Sequence, residues 1–102
     1  GQKIEEKKYT KWFDYDKIKN SPCVRTRRQG DYLTVNSEGG RKKLNRIFID
    51  EKIPAEMRDR LPVVAAGSEI LWIPGGRMNE KYKITSTTGR VLELHYQGGA
   101  LA

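Results

Sequence analysis

Residues 40–65 read GRKKLNRIFIDEKIPAEMRDRLPVVA, and this stretch decides the fold. Leu44, Ile47 and Phe48 recur at i, i+3 and i+4, which is the spacing of one apolar helix face. We therefore predict a helix over residues 41–50 that packs through this face against a core. On either side of the stretch, apolar and polar residues alternate with a period of two, which is typical of strands.

A second short helix is predicted immediately downstream. Pro54 can open it, because proline is tolerated at the first helical position. Ile53, Met57 and Leu61 recur every four residues and form its expected buried stripe, and Pro62 ends it.

The remaining elements are predicted to be strands joined by Gly-, Pro- and Asn-containing turns. The predicted strands are 9–16, 23–28, 32–35, 63–66, 69–73, 82–85 and 90–96, and the last two are expected to form a hairpin. These patterns indicate an α+β domain, mostly β, with two short central helices.

The length of 102 residues is sufficient for one domain with one modest core. We expect residues 1–8 to be a flexible end or linker, 9–96 the domain and 97–102 a flexible tail. The first residue is Gly1 rather than Met, so we also expect the chain to be a piece of a longer protein.

The positive charge is concentrated in the middle of the chain. Residues 24–46 contain seven basic and two acidic residues and so hold +5 of the formal net charge of +7. A concentrated positive field attracts a polyanion, of which nucleic acid is the commonest. The alternative is a basic surface that only keeps the domain soluble.

The first basic group follows Gly39-Gly40. Arg41, Lys42 and Lys43 are predicted to occupy the first turn of a helix, where positive side chains oppose the helix dipole. A bound phosphate would reverse this effect, so we predict that the glycine-to-helix junction contacts RNA phosphate. The alternative is that the long side chains bend into water.

The second basic group is Arg25, Arg27 and Arg28. Arg25 and Arg27 are predicted to share a strand face about 7 Å apart, which is close to the spacing of adjacent phosphates. Alternatively, either Arg25 or Arg27 is structural and pairs with Asp31.

Catalytic and metal-binding patterns are weak in this sequence. His95 is the only histidine, is predicted to lie on an exposed strand face, and has no second histidine to form a site with it. Cys23 is the only cysteine, and its neighbours Pro22 and Val24 predict a small buried apolar role. No phosphate-binding glycine motif is present, so we predict no catalytic residue and no metal site in this chain.

The aromatic residues Trp12, Phe13, Trp72 and Tyr82 admit two interpretations. They could stack on bases, as in proteins that bind single strands. Their positions on alternating strands favour a core role instead, so the sequence indicates a protein that contacts nucleic-acid shape and backbone rather than unpaired bases.

Four segments together carry a family resemblance. They are FDYDKI (13–18), VRTRRQGD (24–31), the stretch over 40–65, and ILWIPGGRMNEKYKIT (70–85). In combination they resemble the C-terminal, substrate-recognition domain of bacterial tRNA(Ile)-lysidine synthetases.

The resemblance implies a layered, β-sandwich-like fold, similar to a module of the phenylalanyl-tRNA synthetase β subunit. It also implies a parent ATP-dependent ligase, in which a separate N-terminal domain uses ATP to join lysine to the wobble cytidine of tRNA(Ile). The domain would hold that tRNA around the acceptor stem and would need no cofactor of its own.

The expected partners are tRNA(Ile) and the parent's N-terminal catalytic domain, with a second copy as a further candidate, no membrane and a cytoplasmic location. The expected RNA-binding residues are Arg25, Arg27, Arg28, Arg41, Lys42, Lys43, Arg46, Arg58 and Arg60. An alternative function is an interdomain or dimer docking module without RNA contact.

Overall fold

The computed structural model describes residues 9–97. Seven strands lie in this range: β1 (Thr10–Asp14), β2 (Cys23–Arg25), β3 (Tyr32–Thr34), β4 (Arg41–Lys43), β5 (Val63–Ala66), β6 (Glu69–Trp72) and β7 (Val91–His95). The α-helices are α1 (Leu44–Asp50) and α2 (Ala55–Arg58), and two 3-10 turns span Tyr15–Lys17 and Glu80–Tyr82. The predicted α+β, mostly β class with two short central helices is confirmed.

The strands form a five-stranded sheet and a separate two-stranded ribbon. The sheet order is β2-β5-β6-β3-β4, and the ribbon is the antiparallel pair β1-β7. Of the hydrogen-bonded pairs in the sheet, only β3-β6 is parallel.

Two apolar clusters explain the layered arrangement. One cluster joins α1 to the sheet through Leu44, Ile47, Phe48, Leu33, Val63, Ala65, Ile70 and Ile73. The other joins the opposite sheet face to the ribbon through Phe13, Val64, Ala66, Leu71, Trp72 and Tyr82. Because side chains alternate along a strand, β5 supplies residues to both clusters and is buried throughout. The sheet is therefore the middle layer, with the helices on one side and the ribbon on the other.

The prediction of one helix over residues 41–50 is wrong in its first part. Arg41–Lys43 form β4, which pairs antiparallel with Tyr32–Thr34, and α1 begins only at Leu44. The apolar period of Leu44, Ile47 and Phe48 fixes the helix face but contains no residue before Leu44. The pairing of residues 41–43 with β3 therefore determines where the helix starts.

The predicted hairpin of residues 82–85 with 90–96 is also wrong. β7 instead pairs with β1, so that Thr10 lies opposite His95 and Asp14 opposite Val91. The face predicted for Leu92 and Leu94 is nevertheless correct, because both pack against the ribbon-side cluster.

Three smaller expectations also change. β2 ends at Arg25 rather than continuing to residue 28, and Cys23 is exposed rather than buried, because β2 is an edge strand of the sheet. Met57 of the predicted second stripe is exposed, whereas Ile53 and Leu61 pack against the helix-side cluster.

Among the described residues, no helix is long and apolar enough to cross a membrane. The predicted linker over residues 1–8 and the tail after Gln97 lie outside the described range.

Candidate nucleic-acid interface

The Gly39-Gly40 pair closes the β3-β4 hairpin rather than approaching a ligand at a helix end. Gly39 has φ +86°, which favours glycine, and the Gly40 N–H donates to Asn36 Oδ1 at 2.9 Å. The first N–H of α1, that of Leu44, already donates to the carbonyl of Asp31 at 2.9 Å. The helix start from which this phosphate contact was predicted is therefore wrong, because Arg41–Lys43 form β4, and the phosphate contact itself stays a prediction.

β4 instead distributes its three cations over both faces of the sheet. Lys42 lies opposite Leu33, on the helix side, and its ammonium group pairs with Asp50 of α1. Arg41 and Lys43 project from the other face, where the Arg41 guanidinium lies 4.6 Å from the centre of the Tyr32 ring. The three consecutive basic residues therefore do not form one phosphate-binding group.

The Asp50 carboxylate is shared by two cations. Lys42 contacts one of its oxygens, and Arg46 Nε lies 3.3 Å from the other. The hydrogen bond from Lys42, opposed by desolvation, lowers the pKa of Asp50 below its ordinary value, and the charges of Lys42, Arg46 and Arg77 add to the effect. Because Lys42 and Arg46 share this single carboxylate, the three groups together keep one positive charge on this flank of α1.

Arg27 occupies the opposite flank of α1. Its guanidinium donates to Asn45 Oδ1 at 2.7 Å and to Asp59 Oδ1 at 2.8 Å. It thereby joins the segment after β2 to the start of α1 and the end of α2. Arg46 lies on the exposed side of the helix between the two flanks.

Arg27 and Lys42 contact α1, Arg46 belongs to it, and Arg28 and Arg60 adjoin the Arg27–Asp59 pair in sequence. We call these five residues, Arg27, Arg28, Lys42, Arg46 and Arg60, the basic helix face. Arg28 and Arg60 are exposed and have no ion-pair partner among residues 9–97. In the sequence, Arg28 directly follows Arg27, and Arg60 directly follows Asp59. The ion pairs on this face use two carboxylates, those of Asp50 and Asp59, so it keeps a net positive charge.

Arg25 has an internal role. Its two terminal nitrogens donate to both oxygens of Asp31 at 2.9 Å, and one also donates to the Gly67 carbonyl. The hydrogen bond to Asp31, opposed by desolvation, raises the pKa of Arg25. Its side chain is only 10% exposed. The alternative interpretation therefore holds for Arg25, and the predicted side-by-side display of Arg25 and Arg27 is wrong because they point to different partners.

The aromatic residues divide unequally between core and surface. Phe13, Trp72 and Tyr82 are buried, as predicted, whereas Trp12 is 40% exposed. Trp12 lines a small cleft of about 250 Å³ with Lys11, Met78 and Ile84, and the core prediction for Trp12 is wrong.

A larger groove lies on the sheet face opposite the helices. It has a volume of about 720 Å³, and its charged lining consists of Lys17, Arg41, Lys81, Lys83, Glu69 and Glu80. Sequence analysis missed these lysines, because Lys81 and Lys83 alternate with apolar residues and resemble the solvent side of a strand. The groove and the Trp12 cleft share Lys83 and Ile84 and are therefore contiguous.

His95 lies on the exposed strand face that the alternation predicts. Its Nε2 is 2.6 Å from Glu93, and its Nδ1 is 2.9 Å from the Thr10 hydroxyl. Within residues 9–97, no three His, Cys, Asp or Glu side chains are grouped in a way that could hold a metal ion.

Residues 23–94 match the family model described as the TilS substrate C-terminal domain. The chain belongs to this family. The match includes β2 to β6, both helices and most of β7, so it covers both the basic helix face and most of the groove.

Curated relatives of this TilS domain are named tRNA(Ile)-lysidine synthase. The protein from Caldanaerobacter subterraneus subsp. tengcongensis is 50% identical over 88 residues, which is 86% of this chain and 19% of that protein. The protein from Clostridium tetani is 41% identical over 90 residues, 88% of this chain and 19% of that protein. The chain thus spans about a fifth of the length of these relatives.

The fold of the TilS domain also has a solved counterpart. A crystal structure described as a TilS C-terminal domain superposes with a TM-score of 0.66 at 31% identity. The match covers 86% of this chain and 71% of the other. It supports the layered, mostly β architecture described above.

The structure groups some of the predicted RNA-binding residues around α1 and places the others elsewhere. Five lie on the basic helix face, Arg41 and Lys43 project from the opposite sheet face, and Arg25 is internal. Arg58 is half-buried and donates from Nε to the Ile53 carbonyl at 2.9 Å. The contact of these residues with RNA stays a prediction.

Proposed function

We propose that this chain is a non-catalytic tRNA-binding part of a longer tRNA(Ile)-lysidine synthetase. It holds tRNA(Ile) at the acceptor stem through the phosphate backbone. A separate N-terminal domain of the same polypeptide uses ATP to join lysine to the wobble cytidine. The protein acts in the cytoplasm, and the domain's partners are the tRNA and that catalytic domain.

The observation that carries the proposal is the charge balance around α1. The basic helix face holds five cations, and its ion pairs involve two carboxylates, one of which serves both Lys42 and Arg46. Folding needs no such surplus, because neutralised pairs would avoid self-repulsion. A polyanion would compensate the excess charge, and the name of the relatives indicates that this polyanion is tRNA.

The side chains on this face suit backbone contact. Four of the five are arginines, whose planar guanidinium forks match phosphate oxygens with two hydrogen bonds. Arg27 and Arg46 are each tied to one carboxylate at Nε, so they are pre-oriented. Double-stranded RNA is recognised mainly by shape and by phosphate and 2′-hydroxyl contacts, which these groups can make.

A salt titration tests the proposal. The 102-residue chain is titrated with whole tRNA(Ile) and with an acceptor-stem minihelix over a range of salt concentrations. Each phosphate contact adds about 0.7–0.9 to the slope of log affinity against log salt. We expect the double variant R28Q/R60Q to weaken binding to both RNAs and to flatten the slope by about 1.4–1.8.

The matched control is Lys19→Gln, which removes an exposed positive charge outside the basic helix face. An unchanged salt slope for K19Q, together with the flattened slope for R28Q/R60Q, would support the proposal. Equal effects of both substitutions would indicate a non-specific field, and no effect of either would contradict the RNA contact. Salt-independent association with a catalytic domain or a second copy would instead support the docking function.

A further inference from the structure

We propose that the groove and the Trp12 cleft form a second RNA contact that takes an unpaired, single-stranded stretch, while the basic helix face takes the duplex. This inference rests on the proposed RNA-binding function and adds to it a second surface with a different RNA class. The proposal follows from how flat stacking groups and cations are combined on the groove side of the sheet.

The first observation is the exposure of two flat groups on this side. Trp12 is 40% exposed and borders a cleft of about 250 Å³. This volume is below the roughly 300–1,000 Å³ typical of sites for drug-sized ligands, so it suits a single ring system. Arg41 presents a guanidinium plane that is already stacked 4.6 Å from the Tyr32 ring centre. Bases stack on both tryptophan rings and arginine planes.

The second observation is the charge between these two groups. Lys17, Lys81 and Lys83 line the groove, with side chains 47%, 49% and 52% exposed. Lys83 pairs with Glu80 at 2.7 Å, and Lys81 lies 3.8 Å from Glu69. Lys17 also lies 4.0 Å from Asp14. With Arg41, four cations therefore meet three carboxylates, those of Glu69, Glu80 and Asp14, and the remaining positive charge attracts an anionic chain.

Glu69, one of these carboxylates, is partly committed to contacts within the protein. The Tyr82 hydroxyl donates to Glu69 at 2.5 Å, and Asn79 Nδ2 lies 3.5 Å from the other Glu69 oxygen. Glu69 therefore helps to fix the groove wall, and its negative charge is partly satisfied from inside. Repulsion of a phosphate by this wall is reduced accordingly.

The geometry favours an unpaired strand over a duplex. A flexible strand can insert one base into the Trp12 cleft while its phosphates follow the lysines, because unpaired bases can turn outward. In a duplex the bases are stacked on each other, so their faces are not free to stack on Trp12. A protein partner would be favoured by an uncharged apolar patch, but Lys11 and Lys83 border this cleft.

Fluorescence anisotropy of two labelled probes tests the inference with the 102-residue chain. The probes are a single-stranded hexaribonucleotide and a blunt RNA duplex. We expect Trp12→Leu to weaken hexamer binding by roughly 5- to 140-fold, the range for losing one stacked base, and to leave duplex binding unchanged. The double variant K81Q/K83Q should weaken hexamer binding and reduce its salt dependence.

The matched control is R28Q/R60Q on the basic helix face, which should weaken duplex binding and spare the hexamer. If the duplex binds and the hexamer does not, the second contact is refuted and the proposed function stands. If neither probe binds, both proposals fail. If W12L changes the oligomeric state instead of hexamer affinity, the cleft is a self-association surface and the inference is overturned.

Circular dichroism and a thermal melt of each variant establish that it is folded. If W12L does not fold, K81Q/K83Q still decides the question, because it leaves Trp12 and the ribbon unchanged. Unaltered hexamer binding by a folded K81Q/K83Q variant would overturn the role of the groove.

Discussion

Arg27 donates from Nε to Asp59 at 2.8 Å, across 32 residues of sequence, and this contact ties the segment after β2 to the end of α2. Asp59 is itself 78% exposed, so the pair is a surface one. Such pairs stabilise a fold by only about 0.2–1 kcal/mol. The contact therefore matters more for the position of Arg27 than for stability.

Asp59→Asn is predicted to increase RNA affinity. It removes the negative charge of one of the two paired carboxylates but keeps an amide oxygen that can accept from Arg27 Nε, and the contact with Asn45 remains. Arg27 therefore stays positioned while its charge becomes available to phosphate. The effect should be largest at low salt, because screening weakens exposed charges. Binding of D59N to the acceptor-stem minihelix at two salt concentrations measures this, and a reduced affinity at low salt would contradict the assignment of this face.

Arg25→Met is predicted to destabilise the fold strongly. It leaves the Asp31 carboxylate, whose side chain is 2% exposed, without its guanidinium partner. Removal of one partner from a buried pair costs about 3–5 kcal/mol. Urea unfolding of R25M should show this loss, and the double variant R25M/D31N should recover part of it. A cost below about 1 kcal/mol would mean that Arg25 is not structural.

The pKa of Asp50 is predicted to report the Lys42 contact. Lys42 lowers this pKa from the ordinary value of 3.8, so the charged carboxylate is favoured in the folded state. The resulting stabilisation is present above pH 3.8 and is lost as the pH falls through the lower folded-state pKa. In an NMR titration of the side-chain carboxyl carbon, K42Q should move the Asp50 pKa upward. An unchanged value would show that the pair does not form in solution.

Tyr82 is predicted to limit stability at alkaline pH. Burial, then the hydrogen bond to Glu69, raise the pKa of Tyr82 above its ordinary value of 10.0. Because the neutral phenol is favoured in the fold, its contribution is complete below pH 10.0 and is lost as the pH rises toward the folded-state pKa. Unfolding midpoints above pH 10 should therefore fall for the wild type and fall less for Tyr82→Phe. Identical alkaline profiles would contradict the prediction.

The sequence predicted most elements but not their pairing. Leu44, Ile47 and Phe48 specify a helix face through local spacing, and that face is buried as predicted. Arg41–Lys43 carry no apolar period of their own, and their strand conformation depends on hydrogen bonding to Tyr32–Thr34. The β1-β7 pair joins opposite ends of the sequence, and no local pattern encodes such a partner.

The same limit applies to the candidate site. The concentration of charge over residues 24–46 contains four of the five residues of the basic helix face, and Arg60 lies outside it. Whether an individual arginine faces solvent depends on where a carboxylate from elsewhere lies. Asp31 neutralises Arg25, and Asp59 orients Arg27, although both arginines occur in the same RTRR segment. Trp12 and Phe13 are neighbours on β1, so alternation places only one of the two rings on the core face, and the packing of the ribbon buries Phe13 and leaves Trp12 at the surface.

The ribbon also determines how this domain can be connected to other polypeptide. Thr10 lies opposite His95, and the Tyr96 N–H donates to the Tyr9 carbonyl at 2.8 Å. The first and last described residues, Tyr9 and Gln97, therefore lie close together at one end of the ribbon. All strands of the five-stranded sheet come between them in the sequence. A short linker from Gln97 to Tyr9, with new termini in the β3-β4 hairpin, should give a circular permutant that keeps the helices, the sheet and the ribbon.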